Sequence, residues 1–525
     1  MITEEQLIAL EIHDASLWEP SRVLPIIDTM EQWGYNALVL HQNDLLDVCT
    51  QLFRSANYGV TDLRLKKVRN NIAWLNRLTD RLQKFGAKLF LEIKEPSLHD
   101  YVLEQYPDLL DKNGVPDPTD PTWFEFCQNK TEDLLERAPN LGGLIITISS
   151  PESRVSLPDF MATRDDTFSL TSWFDNMVSA FHEPLKKQNK KLYIRDFSYT
   201  SEMQSEVLSA VDRKNGEVGA SIKITAHDYF PGFPENPVAR NIASDFIFEF
   251  EAFGEHTGWG VIPNCRVAEF TERMHGYREK NAKGMLVRVS WEAITGADAL
   301  DGLSSVNVYA LPMLIQEHIE PKNLVLSWLD EHHGLAGDTA ETAAELLIRS
   351  WQVPAGAYWD TRVFPRHSCL PSSWQEGWLS METSGMGRRE QTIEISPDDN
   401  RLTENARETL FREKEKTTAV ASTLADQAKA LVKHLPVDLA NQFRSFEWLS
   451  FFARQFELAT KMTFYAARAN EDDNNALKEL KIELLDLAVE IESRLASMHD
   501  IPHHVSMLIS PEQIRLFAKS VAVTP

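Results

Sequence analysis

Four apolar runs between Gly142 and His256 each end in residues able to do chemistry. They are GGLIITISSPES (142–153), KLYIRDFSY (191–199), ASIKITAHDY (220–229) and SDFIFEFEAFGE (244–255). The charges they present are Glu152, Arg195, Lys223 with Asp228, and Glu249 with Glu251. Carboxylates and cations at consecutive strand ends suit the cutting of a glycosidic bond. One carboxyl must be protonated to give the leaving oxygen its proton, and another must be ionised to direct a water or attack carbon. Arg195 and Lys223 near strand ends suit a substrate carboxylate, the arginine by two parallel hydrogen bonds. They equally suit a supporting role. Glu249 and Glu251 lie two apart and share one strand face. If that face is the barrel interior, ion pairs to Arg195 or Lys223 follow.

The same rule extends the set to every strand end: His13 and Asp14, His41 and Asn43, Glu92 and Lys94, Asp196, His227, Glu255 and Glu292. Of these, His227 and Glu292 are expected to join Arg195 and Lys223 in binding substrate. No His-His-carboxylate spacing stands out, so no metal is expected. Phosphate-loop, nucleophile-elbow and dinucleotide fingerprints are missing as well, and no cofactor is expected. Trp18, Trp123, Trp259 and Trp291 are candidate platforms for a sugar ring, although a tryptophan is more often core.

Eight strand signals position these residues. Besides the four above they are LIALEIH (7–13), NALVLHQND (36–44), AKLFLEIKEPS (87–97), in which Glu92 breaks the alternation, and GMLVRVSWEA (284–293). Amphipathic stretches separate them, including SRVLPIIDTMEQWGY (21–35), ending near Gly34, VRNNIAWLNRLTDRLQKFG (68–86) and PTWFEFCQNKTEDLLERAP (121–139). Eight strands alternating with helices predict an α/β fold, a (β/α)8 barrel over residues 1–330; an open doubly wound sheet is the alternative. Beyond it LVLSWLDEHHG and TAAELLIRSWQV read as helices, residues 355–400 are mixed, and 401–499 predict two or three long helices. Residues 331–525 are thus a mixed, then mainly helical, C-terminal region.

The chain has 525 residues, 43% hydrophobic and 25% charged, enough for a large core. A net charge of −25, from 53 basic and 78 acidic residues, argues against nucleic acid or an anionic membrane as partner. Cys49, Cys127, Cys265 and Cys369 lie far apart and read as reduced. MITEEQLIALEIHDAS shows no basic stretch followed by an apolar run, and no apolar run reaches membrane-spanning length, so a cytoplasmic location is the expectation.

Across residues 20–330, these runs resemble the α-glucuronidases of glycoside hydrolase family 67. IIDTMEQWGYNALVLHQND is similar to that family's first helix and second strand. VPDPTDPTWFEF with RAPNLGGLIITISSPES is similar to its Asp-Pro-rich segment, helix and Asn-Ser-Glu strand. KLYIRDFSY, SIKITAHDYF, FEFEAFGE and LSSVNVYALPML resemble later segments in order. The resemblance implies an inverting hydrolase with Glu152 as general acid and Asp228 and Glu251 as base candidates. Arg195 and Lys223 become binders of a uronic acid carboxylate. It also implies a homodimer through the helical region. Two departures stand out: Glu152 falls one position later than the family's glutamate, in Ser149-Ser150-Pro151-Glu152, and Thr147 stands where the family has a lysine. The family's N-terminal β-rich domain is not represented, since the barrel begins almost at residue 1.

The expected function is therefore a glycoside hydrolase acting on an oligosaccharide that bears an acidic sugar. Two alternatives use the same residues: a lyase or dehydratase on uronic sugars, and a sugar-binding barrel without turnover.

Overall fold

The computed structural model describes residues 6–41, 62–98, 103–104, 107–111, 113–148, 150, 152–153, 155–157, 169–198, 201–225, 229–230, 235–280, 282–357, 368–382, 404–467, 473–498 and 503–521. The expected Asp228, His227, Asn43 and Cys49 lie outside them.

Eight parallel strands close into a ring in chain order: β1 (Leu7–Ile12), β2 (Ala37–His41), β3 (Lys88–Glu95), β4 (Gly143–Ile148), β5 (Lys191–Arg195), β6 (Gly219–Lys223), β7 (Phe246–Glu251) and β8 (Gly284–Arg288). β8 pairs back onto β1, with Glu11 opposite Arg288. The predicted (β/α)8 barrel is therefore the fold.

Strand alternation divides the side chains. Ile8, Leu10, Leu38, Leu40, Leu89, Leu91, Ile93, Leu144, Ile146 and Ile194 face outward and form the large core with the helices. Leu7, Ala9, Ala37, Val39, Phe90, Ile145, Tyr193, Ile247 and Leu286 face inward and plug the lower barrel with a separate apolar cluster. Both faces of every strand are buried, which is why the runs read as nearly continuous hydrophobics.

Pro20–Trp33, with Gly34 left-handed at its end (φ 80°), Asp62–Gln83, Thr122–Arg137, Leu170–Lys187, Ser201–Asp212, Val267–Glu279 and Ser305–Gln316 supply the outer helices. Between β6 and β7 the described residues hold only a short 3-10 turn, Pro237–Arg240.

Three long helices, Glu404–Leu431, Phe446–Ala467 and Asp473–Ala496, form the C-terminal region, as expected. The middle one is the most apolar and packs against both others, burying Trp448, Phe452, Phe456 and Phe464. Helix Asp338–Ser350 and the short helix Gln352–Ala357 link this bundle to the barrel. Among the described residues, no helix is long and apolar enough to cross a membrane. Cys127 and Cys265 are buried and, like Cys369, unbridged.

Candidate active site

Above the apolar plug the barrel holds a layer of charge. Glu11 of β1, His41 of β2, Glu92 of β3, Arg195 of β5, Ser221 of β6, Glu249 of β7 and Arg288 of β8 all occupy inward positions and are buried. Arg195 Nε donates to both oxygens of Glu249, at 2.9 and 3.0 Å, and a second guanidinium nitrogen reaches Oε2 at 3.0 Å. Ser221 Oγ (2.8 Å) and the Tyr229 hydroxyl (2.6 Å) donate to the same carboxylate. Tyr229 sits in the left-handed region (φ 72°), costly for a bulky residue, while its ring reaches down to Glu249. Arg288 Nε lies 3.2 Å from Glu11 Oε1, which also accepts from His41 Nδ1 at 2.9 Å.

These contacts set the charges. Burial alone would raise Glu11; Arg288 and His41 outweigh it and hold its carboxyl down at about 2. Glu249 is likewise lowered, Arg195 overcoming the effect of burial. Glu92 differs. It lies 3.0 Å from Arg195 Nε and 3.1 Å from His41 Nδ1, yet neither oxygen forms a hydrogen bond among the described residues. Burial, reinforced by Glu11 and Glu249, pushes it up to about 8. Burial also pushes His41 down to about 3. At neutral pH the layer then holds two carboxylates, two guanidiniums, a neutral carboxyl and a neutral imidazole, and carries no net charge.

The mouth lies one tier higher. Lys94 Nζ contacts Glu152 Oε2 at 2.5 Å. Lys94 and Lys223 both approach the ring of Phe197, at 5.5 and 4.3 Å from its centroid, and Arg195 lies below it at 5.0 Å. Across the barrel, His13 Nδ1 stands 3.0 Å from Glu292 Oε2. Burial, with the charges of Arg288 and Lys94 among the lesser causes, drives His13 well below its usual range, so it is neutral. Glu292 is raised by burial and by Glu255, against Arg288 and Lys94. Glu152 and Glu292 keep 43% and 51% of their side chains open, whereas Arg195 is 1% exposed. Glu255, near Arg288 (3.8 Å) and His256 (3.4 Å), is almost covered.

The structure thus brings Glu152, Lys223 and Glu292 to the mouth and sets Arg195 beneath it, paired with Glu249. Glu251 takes another position. Its Oε1 accepts from the backbone of Gly254 (2.6 Å) and Glu255 (3.1 Å), and burial pushes its carboxyl up to about 7. It holds the turn that follows β7. Gly254 there has φ 91°, and a Cβ would meet Thr257 Oγ1 at 2.7 Å. Farther along, Ser368 Oγ ties this turn to the helical region, accepting from Gly258 N at 3.0 Å and donating to Glu255 O at 3.1 Å. Asp14 accepts from Ser16 N at 2.6 Å and caps a turn. Trp123 is core, anchored to Asp117 O at 2.7 Å. Trp259 and Trp291 pair at 5.8 Å beside the mouth.

Glu11 and Arg288, missed in the sequence, complete the charged layer. Glu11, His13 and His41 also bring three possible metal-ligand atoms, one carboxylate oxygen and two imidazole nitrogens, within 4.8 Å of one another. The rings of His13 and His41 are stacked, at 3.6 Å and 17°. Arg288 Nε and His41 Nδ1 both engage Glu11 Oε1, while Glu11 Oε2, both ring nitrogens of His13 and His41 Nε2 form no hydrogen bond among the described residues.

No protein-family model matches the chain, and no curated protein matches its sequence. Among solved structures it is similar to a GH138 enzyme targeting pectin rhamnogalacturonan II, with a TM-score of 0.69 at 11% identity over 98% of this chain. This chain spans 65% of that one. A GH20 exo-β-N-acetylglucosaminidase from Vibrio harveyi aligns at TM-score 0.39 and 12% identity, over 63% of this chain and 57% of its own. A β-1,4-mannanase from the sea hare Aplysia kurodai aligns at TM-score 0.32 and 10% identity, over 55% of this chain and 89% of its own. These last two overlaps are too loose to bear on this chain. The first shows that barrel and helical region together form an architecture shared with a glycoside hydrolase.

Proposed function

We propose that this chain is a glycoside hydrolase that acts on an oligosaccharide bearing a uronic acid, by single displacement. The observation that carries this reading is the arrangement of Glu152 and Glu292. They follow β4 and β8, four strands apart in a closed ring of eight, and each keeps about half of its side chain exposed at the strands' carboxyl ends, where Lys94, Lys223 and Phe197 also lie. Glu152 gives its proton to the leaving oxygen. The second carboxylate directs a water to the opposite face of the sugar.

Glu292 is the base candidate this geometry favours, because about half of its side chain is open to solvent and it follows the strand opposite the one that leads to Glu152. Asp228 and Glu251 remain in the set through the family 67 resemblance. Carboxylates on opposing strands suit the gap of roughly 6.5–9.5 Å that an inverting pair needs for its water. Likeness to an enzyme targeting pectin rhamnogalacturonan II makes pectic oligosaccharides the first substrates to try.

The test is a leaving-group series. Glu152→Gln should abolish turnover of natural oligosaccharides while sparing aryl glycosides with good leaving groups, since only the former need a proton. Glu292→Gln should impair both kinds, with Asp228→Asn and Glu251→Gln as comparisons. Full activity of Glu152→Gln on a natural oligosaccharide would remove it as the acid.

A further inference from the structure

The Lys94–Glu152 contact conflicts with the resting state that a general acid needs. At 2.5 Å an ammonium and a carboxylate form an ion pair, and an ion-paired carboxylate has no proton to give. The two partners differ in exposure. Lys94 is buried at an inward position of β3, opposite Thr147 of β4. The next residue, Glu95, is locked by Lys130, whose Nζ lies 2.9 and 2.8 Å from its two oxygens and 2.7 Å from Ser97 O. The strand end that carries Lys94 is therefore fixed. Glu152 stands on a loop with 43% of its side chain open, and its backbone N–H is held by Ser150 Oγ at 3.2 Å. Glu152 is the more exposed partner of the two, at 43% against 7% for Lys94.

We propose that Lys94 exchanges partners when substrate binds: its ammonium takes the carboxylate of the uronic sugar, and Glu152, released, takes up one proton from solvent and later delivers it to the leaving oxygen. Lys94 is then both the specificity determinant for the acid group and a positioning residue for Glu152. The receiving place lies beside the ammoniums of Lys94 and Lys223, both of which approach the ring of Phe197. Arg195, 1% exposed and bonded to Glu249, does not take part. A neutral sugar leaves the pair intact and Glu152 ionised, so the enzyme is switched on by the feature it selects. The inference rests on the hydrolase reading above.

Calorimetry tests it without turnover. Free glucuronic and galacturonic acids, with glucose and galactose as neutral counterparts, are titrated in two buffers of different ionisation enthalpy. The uronic acids should bind the unaltered protein with net proton uptake, and the neutral sugars with none. Glu152→Gln lies on an open loop and removes the internal competitor. It should tighten uronate binding by about tenfold, near 1.4 kcal/mol, and abolish the proton uptake. Lys94→Gln should lose the preference for the acid. Unchanged or weaker uronate binding by Glu152→Gln, or no proton uptake by the unaltered protein, would overturn the exchange. If uronic glycosides are still hydrolysed in that case, the hydrolase reading stands without it. If no sugar is bound or cleaved, both fall.

Discussion

Arg195 and Glu249 close on each other across the barrel interior, the guanidinium holding both carboxylate oxygens at 2.9 and 3.0 Å. This contact decides what the charges on β5 and β7 do: they build the floor on which the mouth residues stand. A buried pair adds little over apolar residues of equal volume, but breaking it strands a charge.

Arg195→Gln and Glu249→Gln should therefore each cost about 3–5 kcal/mol in urea unfolding. The double variant should recover much of that loss, because neither charge is then left alone. Single variants within about 1 kcal/mol of the parent would mean that the pair is not buried as described.

Glu92 should leave a pH signature. Its carboxyl is raised to about 8, so between about 4.5 and 8 the folded state binds a proton that the unfolded chain has lost. More protons on the folded side means that this contribution is present at low pH and lost as pH rises through 8. Glu11 and His41 are both lowered and act in the opposite sense, their contributions being lost as pH falls, towards about 2 for Glu11 and about 3 for His41. Glu92→Gln, which resembles the neutral acid, should thus be close to the parent at pH 5. It should gain on the parent from pH 6 to 9, read as melting temperature against pH. A variant that falls further behind at pH 9 would show that Glu92 is ionised.

The turn after β7 should tolerate no side chain at Gly254. Its φ of 91° and the 2.7 Å approach to Thr257 Oγ1 combine strain with collision. Gly254→Ala should cost more than about 1 kcal/mol and disturb the two backbone hydrogen bonds to Glu251. Unchanged stability, measured by thermal melting, would show that the turn adapts.

The barrel could be read from the chain because eight apolar runs alternate with amphipathic ones, and each run became a strand within a few residues of its expected ends. Glu92 was visible as a break in alternation. Glu11 in LIALEI and Arg288 in GMLVR were not singled out, since strands buried on both faces give no periodic sign of which face looks inward. Arg195 and Lys223 look alike in sequence, each closing a strand. Only the ring closure sets Arg195 beside Glu92 and Glu249 while Lys223 stands a tier higher, over Phe197. Nor does local sequence show that Lys94 of β3 meets Glu152 beyond β4, since that contact joins residues 58 apart.

Product analysis on a uronate-terminated pectic oligosaccharide tests the central claim most directly. Proton NMR during the first turnovers should show a saturated uronic acid released with its anomeric configuration inverted, and Glu152→Gln should stop that release. An unsaturated sugar with a new ultraviolet absorbance would make the chain a lyase, and release with retained configuration would contradict single displacement from opposing carboxylates.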